Sequence, residues 1–104
     1  MFEMIVKYVE NHYRDPSLTL GSVAAIFSYS ENYLSTFFKK RMQMGFNQYL
    51  HHLRITYSLR LINEGCDSVQ TIATACGFSD ALYFSKVFTK VVGVSPSHRI
   101  KRHM

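Results

Sequence analysis

The 104-residue sequence lacks the marks of secreted and membrane proteins. Two cysteines are too few for a disulfide scaffold, so we expect Cys66 and Cys76 to be free thiols in a reducing compartment. No apolar stretch reaches the roughly 20 residues that a membrane-spanning helix needs. Glu3 and Lys7 interrupt the first ten residues, which therefore do not read as a signal peptide. These absences predict a cytoplasmic protein.

Charged residues are also scarce, at 18% of the chain, whereas 47% of the residues are apolar. This balance and the chain length predict one compact domain with a folded core, and they argue against intrinsic disorder. Twelve lysines and arginines outnumber seven acidic residues, which gives a net charge of +5. The excess favours an anionic partner such as nucleic acid or an acidic membrane surface, and charge alone does not choose between them.

No segment alternates apolar and polar residues for long enough to form a β-strand, and apolar residues instead recur at helical spacing. The spacing predicts helices over about 2–13, 20–27 and 31–43, with Thr19 and Ser30 as N-caps of the second and third. A longer helix, roughly 25 to 30 Å in length, follows Gly45 and runs to about residue 63. Ser68 is predicted to cap a short helix over 69–76.

The last third of the chain contains a second turn and two further helical stretches. Gly77 is predicted to permit a tight turn, and Ser79 to open a helix that runs to about residue 92. The segment from Gly93 to Pro96 stops that helix, and a short basic helix or tail follows it. The sequence therefore predicts an all-α fold.

The second and third predicted helices resemble the fifth and sixth at an interval of 49 to 50 residues. Val23-Ala24, Phe27 to Ser30 and Tyr33-Leu34-Ser35 correspond to Ile72-Ala73, Cys76 to Ser79 and Tyr83-Phe84-Ser85. An alanine lets the helices of each pair pack closely, a small residue at 28 and 77 allows the turn, and Ser30 and Ser79 are predicted to cap the next helix. Each copy is a helix-turn-helix unit.

The second helix of each unit carries a polar stripe opposite its apolar face. The stripes consist of Asn32, Ser35, Thr36 and Lys39 in the first copy and Leu82, Ser85, Lys86 and Thr89 in the second. Short side chains of this kind can enter a major groove, while neighbouring cations reach phosphates. One such stripe is usually only a solvent-exposed face. Two matched copies are a more specific signal.

Over essentially its whole length the chain resembles the DNA-binding domain of the AraC/XylS family of transcription regulators. The matching residues are Tyr33-Leu34-Ser35, Phe38-Lys39-Lys40, Gly45, Tyr49-Leu50, Arg54-Ile55, Leu61-Ile62, Ile72-Ala73, Gly77 to Asp80, Tyr83-Phe84-Ser85, Phe88 and Gly93 to Pro96. The resemblance implies an all-α fold of about seven helices, with two helix-turn-helix subdomains, about 1–44 and 66–104. A linker helix within about 45–65 joins them. It also implies that two recognition helices enter successive major grooves of double-stranded promoter DNA.

The resemblance also implies the roles of individual residues. The base-facing residues are Asn32, Ser35, Thr36, Ala81, Leu82, Ser85 and Lys86. The phosphate-contacting residues are Ser30, Lys39, Lys40, Arg41, Ser79 and Lys90. Asparagine suits adenine, and the alanine, leucine and threonine methyl groups suit the thymine methyl. We therefore expect A/T-containing half-sites, with Lys86 as the main guanine or phosphate contact.

Further expectations concern partners and alternatives. The resemblance implies an activator associated with the nucleoid that contacts RNA polymerase, with any effector-binding domain outside this chain, which is either a fragment or a stand-alone member. The alternative is a degenerate helical protein-interaction module with weak or nonspecific DNA binding. The sequence has no recognisable arrangement of a nucleophile, a base and an oxyanion site, so we do not expect an enzyme. His51 and His52 are adjacent and point about 100° apart, so no metal or other cofactor is expected.

Overall fold

The computed structural model describes residues 1–104 and contains seven α-helices and no β-strand, which confirms the predicted fold class. In chain order the helices are α1 (Phe2–His12), α2 (Leu20–Ile26), α3 (Glu31–Met42), α4 (Phe46–Asn63), α5 (Val69–Cys76), α6 (Ala81–Val92) and α7 (Pro96–His103). None of the seven is both long and apolar enough to cross a membrane. The molecule is elongated, with extents of 45 × 22 × 21 Å.

Three of the predicted N-caps are confirmed. Thr19 Oγ1 accepts a hydrogen bond from the backbone N–H of Ser22 at 3.0 Å, and Ser22 Oγ accepts one from the N–H of Thr19 at 2.9 Å. This reciprocal pair satisfies two N–H groups that have no partner within α2. Ser30 and Ser68 each accept from the N–H three residues further on, at 3.1 and 3.2 Å. These caps fix where α3 and α5 begin.

The predicted cap of the sixth helix is wrong by one residue. Asp80, not Ser79, is the N-cap of α6, because its Oδ1 accepts the N–H of Leu82 at 2.9 Å. Ser79 is exposed in the turn that precedes Asp80. A carboxylate is favourable at a helix N-terminus, where the unpaired N–H groups and the helix dipole attract negative charge.

Two separate apolar cores share α4. The first half of α4 buries Phe46, Tyr49 and Leu50 in a core whose other members are Ile5, Val9, Leu18, Val23, Ala24, Leu34 and Phe38. The second half buries Ile55 and Ile62 in a core with Ile72, Ala73, Cys76, Phe78, Phe84, Val87, Phe88 and Ile100. We call α1 to α3 with the first half of α4 head one, and the second half of α4 with α5 to α7 head two.

Candidate nucleic-acid interface

Helix α3 presents the predicted stripe of head one. Leu34 and Phe38 are fully buried and define the inward side of the helix. At 100° per residue, Asn32 and Thr36 lie on the opposite side, and Ser35 lies on its flank. All three are exposed. The Oγ of Ser30 accepts from a backbone N–H, so its own hydroxyl proton remains available to a phosphate oxygen.

Helix α6 repeats this arrangement in head two. Phe84 and Phe88 are fully buried, at positions equivalent to Leu34 and Phe38. Lys86 is exposed on the opposite side of the helix, and Leu82 beside it is 76% exposed. The two other predicted base-facing residues of this head, Ala81 and Ser85, are half-buried on the flank. Of the four residues predicted to face the bases in head two, Leu82 and Lys86 are therefore the ones that project into solvent.

The two turns explain why the repeat interval changes from 49 to 50 residues. Ser28 has φ 61° and Gly77 has φ 101°, so both are in the left-handed region, as the turn requires. The following residues close equivalent hydrogen bonds, from Tyr29 N–H to the carbonyl of Ala24 at 2.8 Å and from Phe78 N–H to that of Ala73 at 2.9 Å. Head two then has one more residue before the cap. Ser30 therefore corresponds to Asp80, and Ser79 is the extra residue.

The predicted phosphate-contacting cations do not all lie on one face. Lys39 and Lys40 lie on the outward side of α3, about 100° and 200° along the helix from Phe38. Arg41 lies next to the inward side, where its guanidinium carbon is 4.8 Å from the centre of the Phe2 ring. The helical turn separates these adjacent residues, so α3 presents two lysines to the outside and directs Arg41 along α1.

A groove of about 770 Å³ lies between the first half of α4 and α6. Its lining includes Lys86 and Lys90 from α6 and Met44, which follows α3, so the groove connects the end of α3 with the side of α6. His51 Nε2 lies 3.3 Å from the hydroxyl of Tyr83. Burial, with the charges of Arg54 and Lys90, lowers the pKa of His51 below its ordinary value, so the ring is neutral at pH 7.

This groove is not among the sites expected from the sequence. Its α4 side is formed by Asn47, Gln48, His51 and His52, two pairs at a spacing of four residues. That spacing was the available signal, because it places each pair on one side of a helix. The two cysteines lie elsewhere. Cys76 is buried in the core of head two, and Cys66 is half-buried in the loop before α5.

Comparisons with known proteins agree with this geometry. A family model described as a helix-turn-helix domain matches residues 23–102. The chain is 41% identical over 97 residues to the uncharacterized HTH-type transcriptional regulator YijO of Escherichia coli K12, covering 93% of this chain and 34% of that protein. It is 39% identical over 70 residues to the HTH-type transcriptional activator RhaR of the same strain, covering 67% of this chain and 25% of RhaR.

Among solved structures, the DNA-binding domain of the transcriptional factor AdpA, in complex with a target DNA, superposes with a TM-score of 0.88 at 21% identity. The match covers 97% of this chain and 90% of that one, and it shows a shared fold. The chain spans about a third of the length of the first curated relatives that it matches. The family model, these relatives and the paired helix-turn-helix units show that the chain belongs to the AraC-type helix-turn-helix family of DNA-binding transcription regulators.

Proposed function

We propose that this domain binds promoter DNA by inserting α3 and α6 into successive major grooves. The observation that carries the proposal is the duplicated arrangement of the two helices. In each, two buried apolar residues four positions apart turn a stripe of exposed side chains outward. The linker helix α4 has 18 residues, which at 1.5 Å per residue makes it about 27 Å long. That length, together with the widths of the helices that α4 joins, is compatible with recognition sites one helical turn of DNA apart, about 34 Å.

Sequence readout is divided between the two helices. Asn32, Ser35 and Thr36 form the base-facing set of head one, in which Asn32 is suited to paired hydrogen bonds with adenine. Ala81, Leu82, Ser85 and Lys86 form that of head two. Exposed Leu82 and the neighbouring Ala81 suit contact with thymine methyl groups, and Lys86 suits guanine or a phosphate. A/T-containing half-sites follow from this set.

Phosphate contacts position the domain on the duplex. The proposed set is Ser30, Lys39, Lys40, Arg41, Ser79 and Lys90. The placement of Arg41 against Phe2 makes Lys39 and Lys40 the principal cations of α3. Lys90 lies one helical turn after Lys86, and both lysines line the groove. About five such contacts give a slope of about −4.5 in log K against log[salt].

The regulator acts on the nucleoid in the cytoplasm as an activator that contacts RNA polymerase, with any effector-binding domain outside these 104 residues. Activation is supported by the name of RhaR as a transcriptional activator. A separate domain is supported by the larger size of the curated relatives. A transcription assay with purified RNA polymerase and the full-length regulator on a selected promoter tests this part. Unchanged or reduced transcript would overturn activation.

Selection from a random duplex library tests DNA recognition. We expect two A/T-containing half-sites about one helical turn apart, and tighter binding to the selected duplex than to a scrambled one. Lys40→Ala should weaken both interactions and lower the salt slope by about one. Lys7→Ala, which removes an exposed charge from α1, is the matched control and should change neither. Equal affinity for selected and scrambled duplexes would instead favour the protein-interaction module.

A further inference from the structure

The two recognition helices belong to different heads, whose cores meet only along α4. Leu50 is the last buried residue of α4 in the core of head one, and Ile55 is the first in that of head two. Half of the 45 Å long axis is about 22 Å, so a rotation of about 10° at this point moves the end of a head by about 4 Å. That displacement exceeds one base-pair step of about 3.4 Å. Contacts beside α4 are therefore needed to fix where α6 lies relative to α3.

Arg54 makes such a contact at the junction of the two cores. Its side chain is only 7% exposed, and its Nε donates to the carbonyl of Tyr13 at 2.7 Å. Nη2 donates to the carbonyl of Asp15 at 3.1 Å, so both bonds hold the segment that follows α1 in head one. The guanidinium carbon is 5.4 Å from the centre of the Phe78 ring, in the turn of head two. Arg54 therefore lies between the heads and contacts both.

Arg14 also links the two heads. Its Nε donates to the carbonyl of Ala75 at 2.9 Å, across 61 residues of sequence. That carbonyl lies in the last turn of α5, where carbonyls have no partner within the helix. The guanidinium carbon of Arg14 also lies 4.3 Å from the centre of the Tyr57 ring on α4. Head one thus holds the end of the first helix in the second helix-turn-helix unit.

Gly77 brings the two backbones into direct contact. A Cβ atom at this position would lie 2.7 Å from the carbonyl oxygen of Tyr13 and 2.9 Å from the carbonyl carbon of Arg14. Its counterpart in head one, Ser28, adopts a left-handed conformation with an exposed side chain. The turn itself therefore tolerates a side chain. The close approach of head one is what excludes one at position 77.

We propose that Arg54, Arg14 and Gly77 form an interhead clamp that sets the distance and rotation between α3 and α6, and thereby selects the spacing between two DNA half-sites. These are positioning residues, because none lies in the proposed base-facing or phosphate-contacting sets. The DNA consequence rests on the proposed function. The mechanical part, a fixed geometry between the heads, does not depend on DNA.

The first experiment measures the geometry without DNA. Spin labels at Thr36→Cys and Thr89→Cys, in a Cys66→Ser background, report the distance between α3 and α6 by pulsed electron paramagnetic resonance. We expect one narrow distance distribution. Gly77→Ala should shift or broaden it, whereas Gly93→Ala should not. Gly93 is the matched control, because it also caps a helix at φ 99° but has no atom within 4 Å of an added Cβ. Identical distributions for the two variants would overturn the clamp.

The second experiment measures spacing selectivity on duplexes obtained by selection. For the unsubstituted protein, insertion or deletion of one base pair between half-sites should weaken binding at least tenfold. Gly77→Ala and Arg54→Gln should reduce that penalty to threefold or less, while affinity for a single half-site changes by less than twofold. Arg14→Ala, at an exposed position, should also reduce the spacing penalty. It replaces Arg54→Gln in the comparison if circular dichroism shows that Arg54→Gln is unfolded.

The outcomes separate the two proposals. Loss of the spacing penalty in Gly77→Ala but not in Gly93→Ala supports the clamp. An unchanged penalty in Gly77→Ala and Arg14→Ala overturns its role in spacing. Absence of specific binding by the unsubstituted protein overturns the proposed function, and the distance measurement then still decides whether the clamp fixes the heads.

Discussion

Leu82 offers the sharpest test of base readout, because a large apolar side chain that is 76% exposed on a recognition helix has much surface left to bury. Full burial of a leucine side chain is worth about 1.5–3 kcal/mol. A thymine methyl covers only one side of the leucine, so we take half of that range, about 0.75–1.5 kcal/mol, and use about 1 kcal/mol as the expected loss. Since 1.4 kcal/mol is a factor of ten, Leu82→Ala should weaken specific binding about fivefold.

The assay is fluorescence anisotropy on the selected duplex and on a scrambled one, at several salt concentrations. Leu82→Ala should lose affinity only for the selected duplex, with an unchanged salt slope, because it removes no charge. Stability should change by less than about 0.5 kcal/mol, as is usual at an exposed position. Met4→Ala, which truncates a side chain that is 62% exposed on α1, is the control and should bind like the unsubstituted protein.

A change in the DNA completes the test. Replacing the contacted thymine by uracil removes the C5-methyl group, and this should weaken binding of the unsubstituted protein by a similar factor. The same replacement should have little further effect on Leu82→Ala, because the two changes remove opposite sides of one contact. Equal losses on selected and scrambled duplexes, or full additivity of the two changes, would refute the assignment of Leu82 to a thymine methyl.

Three further predictions concern the DNA contacts of α3, the titration of His51 and the reactivity of the two cysteines. Lys39→Ala should weaken binding to all sequences alike, whereas Asn32→Ala should also relax the preference at one base pair. Fluorescence anisotropy on duplexes that differ by one base pair measures this, and equal losses for the two variants on specific and random DNA would contradict it. Because the pKa of His51 is lowered in the folded protein, the unfolded chain takes up its proton first as the pH falls below about 6.5, and stability should then decline. Urea titrations of His51→Gln should show less of this decline, and an identical pH profile would contradict it. Burial raises the pKa of Cys76 to about 12, so a thiol reagent at pH 8 should modify Cys66 first, and equal rates would count against the buried placement.

Local signals in the sequence predicted the helices well, since apolar spacing and cap residues act over a few positions. The cap of α6 shows the limit of that reasoning. Ser79 and Asp80 are adjacent, and both residue types suit an N-cap. The analogy with Ser30 in the first copy favoured Ser79, whereas the cap is Asp80. The change of interval from 49 to 50 residues was the only local indication that a residue is inserted between the turn and the cap.

Long-range placement was harder to predict. Arg54 lies among apolar residues of α4, and its burial depends on carbonyls about 40 residues earlier in the chain. The run from Lys39 to Arg41 suggested three equivalent phosphate contacts. The α-helical turn separates them by 100° per residue, and the ring of Phe2 then holds the guanidinium of Arg41 beside α1. The placement of Arg54 and of Arg41 therefore depends on contacts with distant segments of the chain, which helical periodicity does not reveal.

The caps also make the two recognition helices chemically unequal. Head one begins α3 with the neutral Ser30, whose hydroxyl proton stays available to a phosphate, and the carboxylate of Glu31 lies in the first turn of the same helix. Head two begins α6 with the carboxylate of Asp80, which accepts from the N–H of Leu82, one position earlier in the helix than the N–H that Ser30 accepts from in α3. The outward side chains follow the same division, with Asn32 and two lysines on α3 and exposed Leu82 on α6. Polar anchoring therefore falls mainly to head one, and apolar readout to head two. A clamp between the heads matters more for such a pair, because head two has fewer proposed phosphate contacts than head one, and its position along the DNA then depends more on its attachment to head one.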